Sequence, residues 1–118
     1  MDNVYEISLL MDFYGQLLTK KQYELLDLHY NNDYSLGEIA EEMDISRQGV
    51  YDNIRRAKNS LNDFEQKLGL VKKFSEQKKG VEKILESLQK FESGLENEKD
   101  KSELVKIKND IERLIEQF

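Results

Sequence analysis

The sequence predicts an all-α protein built from a helix-turn-helix domain and a C-terminal helical hairpin, and three observations carry that expectation. The 118 residues include no proline, only 6 glycines and 36% charged side chains, a composition poor in helix breakers and rich in residues that suit exposed helix surface. Apolar residues recur at intervals of three and four along most of the chain, the period of an amphipathic helix. The stretch from Tyr34 to Leu61, YSLGEIAEEMDISRQGVYDNIRRAKNSL, holds two helix starts around a tight turn. A chain of this length supports one small domain with an appendage. The expected division is residues 1–68 for the helix-turn-helix domain and 69–118 for the extension.

Val4, Ile7, Leu10, Met11 and Tyr14 share one helical face, so a first helix runs to about Gly15 with that face in the core. Thr19 can cap a second helix. This helix carries Leu25, Leu26 and Leu28 and ends at Asn31-Asn32-Asp33, whose short polar side chains compete for backbone hydrogen bonds. Tyr23 and Tyr30 are expected at its edges. His29 is the only histidine and has no partner at ligand spacing, so it reads as a surface or core residue rather than a catalytic one. Ser35, with Glu38 three residues on, forms a capping box ahead of Leu36, Ile39, Ala40 and Met43. Asp44 follows at the turn, where its side chain tolerates left-handed backbone. Ile45 plugs the angle between the helices, and Ser46 offers an N-cap oxygen to the next one. Val50, Ile54, Ala57 and Leu61 form the inward stripe of that helix, which continues through Phe64 and Leu68 until Gly69 bends or stops it.

With that stripe inward, a step of about 100° per residue turns Gln48, Asp52, Arg55 and Arg56 outward. A recognition helix presents its side chains there. Gln48 has the donors and acceptors to pair with an adenine edge, and Arg55 and Arg56 can grip guanine edges or phosphates. Ser46, Arg47, Tyr51 and Lys58 complete the expected nucleic-acid contact set. Asp52 sits amid that face and would be repelled by a phosphate backbone; Arg55 or Arg56 can neutralise it. The plain alternative is a helix-turn-helix retained for packing or protein docking.

Charge and composition narrow the function further. The net charge of −6 opposes a polyanionic partner when taken as a whole-molecule field, but it is unevenly spread. Residues 1–44 hold 2 basic and 10 acidic side chains, residues 45–90 hold 11 and 6, and residues 91–118 hold 5 and 8. Positive charge therefore gathers in the middle third, although Lys67 through Lys90 read equally well as the solvated face of a long helix. The absence of cysteine removes disulfides and thiolate metal sites and fits a reducing compartment. Asp2 and Glu6 stand where a secretory signal would be positive, and no apolar run approaches the ~20 residues needed to span a bilayer. A cytoplasmic protein without membrane contact is expected. There is no Gly-rich phosphate cradle, cysteine nucleophile or His/carboxylate metal spacing, so neither an enzyme nor a cofactor or metal is expected.

The run YSLGEIAEEMDISRQGVYDNIRRAKNSL resembles the helix-turn-helix of region 4 in bacterial sigma factors. More closely, the chain resembles the YlxM family of small bacterial proteins associated with the signal recognition particle, through ISRQGVYDNIRRA and the upstream MDFYGQLLTKKQ. The likeness covers the first ~70 residues, the size of a small domain, and reaches the tail only in helical character. Asp44 stands where many sigma-like sequences have glycine. The resemblance implies an accessory or regulatory part in the signal recognition particle pathway, with that particle's components as partners. A sigma-like DNA-binding transcriptional regulator is the alternative.

Beyond Gly69, two apolar series step by three and four: Val81, Ile84, Leu88, Phe91, Leu95 and then Leu104, Ile107, Ile111, Leu114, Phe118. They predict an antiparallel hairpin across the charged linker NEKDKS, with Asp100 or Ser102 capping the last helix. Stripes this narrow are marginal alone, so Leu88, Phe91, Leu95, Leu104, Ile107, Ile111 and Leu114 are expected to meet the front domain, a protein partner or a second copy in a homodimer. Lys72, Lys73, Lys78 and Lys79 flank the hairpin's base. The leading expectation is a noncatalytic protein that binds RNA or DNA; a helical interaction and dimerisation module competes with it.

Overall fold

The computed structural model describes residues 3–118, which carry six α-helices, one 3-10 turn and one π-helical segment. They divide into two compact units, one ending at Val71 and one spanning Lys72–Phe118.

In the first unit, α1 (Val4–Tyr14) starts where Asn3 Oδ1 accepts the Glu6 N–H at 2.7 Å. It buries Ile7, Leu10, Met11 and Tyr14, whereas Val4 is exposed. Val4 lies in the first turn, before the helix meets its neighbours, so it departs from the expected stripe. A 3-10 turn over Gly15–Leu17 leads to α2 (Lys20–Leu26). Thr19 and Gln22 cap that helix reciprocally, both at 3.1 Å. The helix then widens into a π segment over Asp27–Asn31. Asp27 draws in the end of the segment: its carbonyl accepts the Asn32 N–H at 3.1 Å and the Asn32 side-chain amide at 3.0 Å, and its carboxylate takes the Asn31 amide at 2.8 Å. The expected end at Asn31-Asn32-Asp33 is met, with Asp33 in left-handed backbone at φ 59.

Helix α3 (Leu36–Met43) begins with the Ser35–Glu38 capping box, both bonds at 3.1 Å. The Ser35 backbone N–H, and after it the Ser35 side chain, favour the charged form of the Glu38 carboxyl and lower its pKa. The helix ends at Asp44, which sits at φ 53, ψ 48 while the Ile45 N–H returns to the Ala40 carbonyl at 3.1 Å. This is a Schellman-type closure. Helix α4 (Arg47–Leu68) is a single 22-residue helix from the Ser46 cap to Gly69 at φ 62. Its stripe of Val50, Ile54, Ala57 and Leu61 is buried and touches α1, α2 and α3.

The end of α4 is held by a contact between residues 51 apart in sequence. Tyr14 Oη donates to Glu65 Oε1 at 2.5 Å and accepts the Leu70 N–H at 3.1 Å, while Glu65 Oε1 also accepts the Val71 N–H at 3.0 Å. These bonds satisfy N–H groups that open α5 (Leu70–Ser93), which no local cap covers.

The second unit is an antiparallel pair of the rest of α5 with α6 (Glu98–Glu116). The Phe74 and Phe118 rings meet at 5.3 Å, and Lys108 Nζ bonds Glu92 at 3.1 Å. Leu104 is the one fully buried hydrophobic side chain among the described residues of this unit. Asn97 caps α6, its Oδ1 accepting the Lys99 and Asp100 N–H groups at 2.8 and 3.3 Å. Asp100 and Ser102 therefore lie inside the helix rather than at its start. The turn closes quickly through Gly94 N–H to the Phe91 carbonyl, which leaves Asn97 as the residue with an oxygen at the extended position. Ile84, Phe91, Ile107 and Leu114 remain outside the seam.

Replacing Tyr14 by Phe removes the phenol that bridges Glu65 and Leu70 and should lower stability by about 1–2 kcal/mol in urea unfolding. Burial, followed by the hydrogen bond to Glu65, holds the Tyr14 phenol above its ordinary 10.0. A raised folded-state pKa means the folded protein keeps this proton longer than the unfolded chain. Its stabilising contribution is thus complete below about pH 10 and is lost as pH climbs through the folded value. Tyr14→Phe should show a shallower alkaline decline. At the turn, Asp44→Val should cost about 1–2 kcal/mol relative to Asp44→Gly, because a β-branched side chain resists left-handed backbone. Equal urea midpoints for these two variants would contradict the turn geometry.

Candidate nucleic-acid interface

The face of α4 opposite its buried stripe is set by that burial. Counting about 100° per residue from Gln48, Arg55, Tyr51, Lys58 and Arg47 fall on one side within roughly 100°, and Asp52 and Arg56 fall on the other within roughly 80°. The structure thus arranges the expected residues as two flanks rather than one uniform surface. Arg47, Gln48, Tyr51, Arg55 and Arg56 are exposed, and Tyr51 retains 50% of its accessible surface.

Each side chain has a particular environment. The Ser46 oxygen is occupied in capping, accepting the Gly49 N–H at 2.9 Å. Arg47 reaches back toward α3, its Nε 3.7 Å from the place a Cβ would take on Gly37. The missing side chain at Gly37 gives the guanidinium room. Gln48 donates its amide to Asp52 Oδ1 at 3.1 Å. Asp52 is therefore held by Gln48, one turn before it, and not by Arg55 or Arg56, although both arginines stand at neighbouring helical spacings one turn after it. Among the described residues Arg55 and Arg56 have no ion-pair partner. Lys58 is half-buried with its Nζ 5.7 Å from the centre of the Tyr30 ring, a cation–π geometry.

Tyr30 is the neighbour that sequence reasoning placed only at an edge. It comes from the π segment, and no periodicity within one element connects it to Lys58. His29, beside it, donates Nδ1–H to the Tyr34 carbonyl at 2.8 Å and meets the Tyr30 ring edge-on at 4.9 Å. This is a structural role that steadies the entry to α3. No group of three or more His, Cys, Asp or Glu residues among those described can hold a metal ion, and no helix among them is long and apolar enough to cross a membrane. The acidic side chains Glu41, Glu42 and Asp44 lie at the end of α3 and its turn, exposed.

A helix-turn-helix with an exposed arginine ridge is the setting for comparison with known proteins. A family profile described as "helix-turn-helix protein, YlxM / p13 like" matches residues 1–104. The chain belongs to the UPF0122 family. A UPF0122 protein of Acetivibrio thermocellus is 53% identical over 116 residues, covering 98% of this chain and 99% of the relative. One from a Thermoanaerobacter species, strain X514, is 49% identical over 120 residues, covering 99% and 97%. A more distant UPF0122 protein, from Bacillus velezensis, is 45% identical over 105 residues, covering 89% and 92%. The UPF0122 relationship thus spans the hairpin as well as the helix-turn-helix, further than the sequence resemblance alone reached.

The two kinds of residue on this face separate by measurement. Ser46→Ala should lower stability by about 1 kcal/mol through loss of the cap. Arg55→Ala, at an exposed position without an ion pair, should change stability by no more than about 0.5 kcal/mol. A large loss on Arg55→Ala in thermal unfolding would assign that residue to folding instead.

Proposed function

We propose that this protein is a noncatalytic nucleic-acid-binding protein that applies the Arg47–Tyr51–Arg55 flank of α4, with Arg56 on its other side, to an RNA or DNA backbone. The observation that carries this reading is the pair of exposed arginines, without carboxylate partners among the described residues, on the outward face of a helix-turn-helix. Arginine forks match phosphate geometry, and Tyr51 between Arg47 and Arg55 offers a ring for a base to stack on. The first unit as a whole is acidic, so binding depends on this local ridge and is strongly weakened by salt. The YlxM resemblance supports an accessory or regulatory role in the signal recognition particle pathway, in the cytoplasm.

A binding titration at low salt against signal recognition particle RNA, an unrelated structured RNA and duplex DNA tests both levels. Preference for the first polymer supports the pathway assignment, and preference for duplex DNA supports a transcriptional one. Replacing Arg55 and Arg56 together by alanine should weaken binding roughly tenfold or more and reduce the salt slope by about 1–2. Unchanged affinity for all three polymers would remove the reading. Asp52→Asn should act in the opposite direction, tightening binding a few-fold by deleting a repelled carboxylate from the same face.

A second reading is favoured by the hairpin, where four large apolar side chains are exposed together. It is that the second unit is a protein-interaction module. Association with purified protein components of the signal recognition particle, lost when the exposed Phe91 and Ile107 are made polar, would support it.

A further inference from the structure

The α5–α6 hairpin has two unlike faces. One carries Glu82, Glu86, Glu112 and Glu116 around Leu85 and Ile115. The other exposes Ile84 (54%), Phe91 (63%), Ile107 (47%) and Leu114 (51%). On α5 the latter stripe runs Gln77, Gly80, Ile84, Ser87, Phe91 at alternating intervals of three and four, with no charge in it. On α6 it runs Glu103, Ile107, Asp110, Leu114. Both are second seams, about 80–100° round each helix from the seam that closes the hairpin.

We infer that a second copy of this chain covers this face, with α5 of one copy packed beside α6 of the other to complete a four-helix bundle. It rests on the reading of the second unit as an interaction module and names the occupant. Two features favour a second copy. Residues Lys72–Phe118 contain 11 basic and 11 acidic side chains and are neutral, whereas the chain up to Val71 has 7 and 13. Self-association through the hairpin is therefore unopposed by net charge, and the first units repel one another. The size fits: helices of 24 and 19 residues make a face about 29–36 Å long and about 20 Å wide. Pairing two such faces buries roughly 1,200–1,400 Å², within the range of specific interfaces.

Charge and shape then choose the pairing. Setting α6 against α6 would oppose Glu103 and Asp110 with their own copies, which is repulsive. Setting α6 against α5 places those carboxylates along an uncharged stripe, while Lys106 and Arg113 continue to hold them at 3.8 and 2.6 Å. Ile107 and Leu114 then find gaps at Gly80 and Ser87. A Cβ added at Gly80 would meet nothing within 4 Å.

Sedimentation equilibrium of the full chain at micromolar concentrations tests this with four samples. Wild type is expected to be a dimer. Ile84→Glu with Phe91→Glu, and separately Ile107→Lys with Leu114→Lys, are each expected to weaken self-association by at least roughly tenfold. Their helical circular dichroism should be unchanged because all four positions are already exposed. An equimolar mixture of the two variants should recover a heterodimer, since glutamates on α5 then face lysines on α6. A monomeric wild type overturns the second copy as occupant. It leaves the interaction-module reading to stand or fall on the purified-component assay. A wild-type dimer that survives both variants overturns this face. A mixture that stays monomeric overturns the α5-to-α6 pairing.

Discussion

The burial of one stripe on α4 is the constraint on which the helix-turn-helix unit depends. Val50, Ile54, Ala57 and Leu61 are almost wholly withdrawn from solvent, and α1, α2 and α3 all pack on α4. Burying the three larger side chains contributes roughly 1.5–3 kcal/mol each, as upper estimates. Ala57 adds little burial of its own, but its small side chain allows a helix to approach closely. Once this stripe faces inward, the helical period leaves no freedom over which residues face outward. The location of the arginine ridge is thus a consequence of core packing.

That coupling explains how an acidic protein can still offer a cationic surface. The acidic side chains of the first unit are concentrated before α4, and several are already committed. Glu38 caps α3, Asp27 ties down the π segment, Asp44 makes the left-handed turn, and Asp52 takes the Gln48 amide. Arg55 and Arg56 are left with solvent around them. Electrostatics near a phosphate contact is dominated by charges within about a Debye length, roughly 8 Å at physiological salt. The local arrangement on α4 therefore outweighs the sign of the total charge at contact.

The hairpin poses a different physical problem. Its two helices meet along a seam that buries Leu104 fully and other side chains only in part, so it has too little core to be stable as an isolated pair. A second apolar seam, about 80–100° round each helix from the first, stays exposed at Ile84, Phe91, Ile107 and Leu114. Extension of the family match to residue 104 places α5 and the start of α6 within the shared architecture of these proteins.

The sequence by itself determined the all-α class, the two caps of the helix-turn-helix, the turn at Asp44, the inward stripe of α4 and the stop at Gly69. Each of these depends on residues within a few positions of one another, where capping chemistry and helical period act directly. Only the structure decided what the outward residues touch. It tied Asp52 to Gln48 and not to an arginine, and it set Lys58 over Tyr30 from another element. It likewise decided that Leu88, Leu95 and Leu104 line the hairpin seam while Phe91, Ile107 and Leu114 face outward, a choice that an a/d-like stripe leaves open. The Tyr14–Glu65 contact was the least legible of all, because its partners lie 51 residues apart. Nothing in either local pattern marks a tyrosine and a glutamate that meet only after four helices have packed.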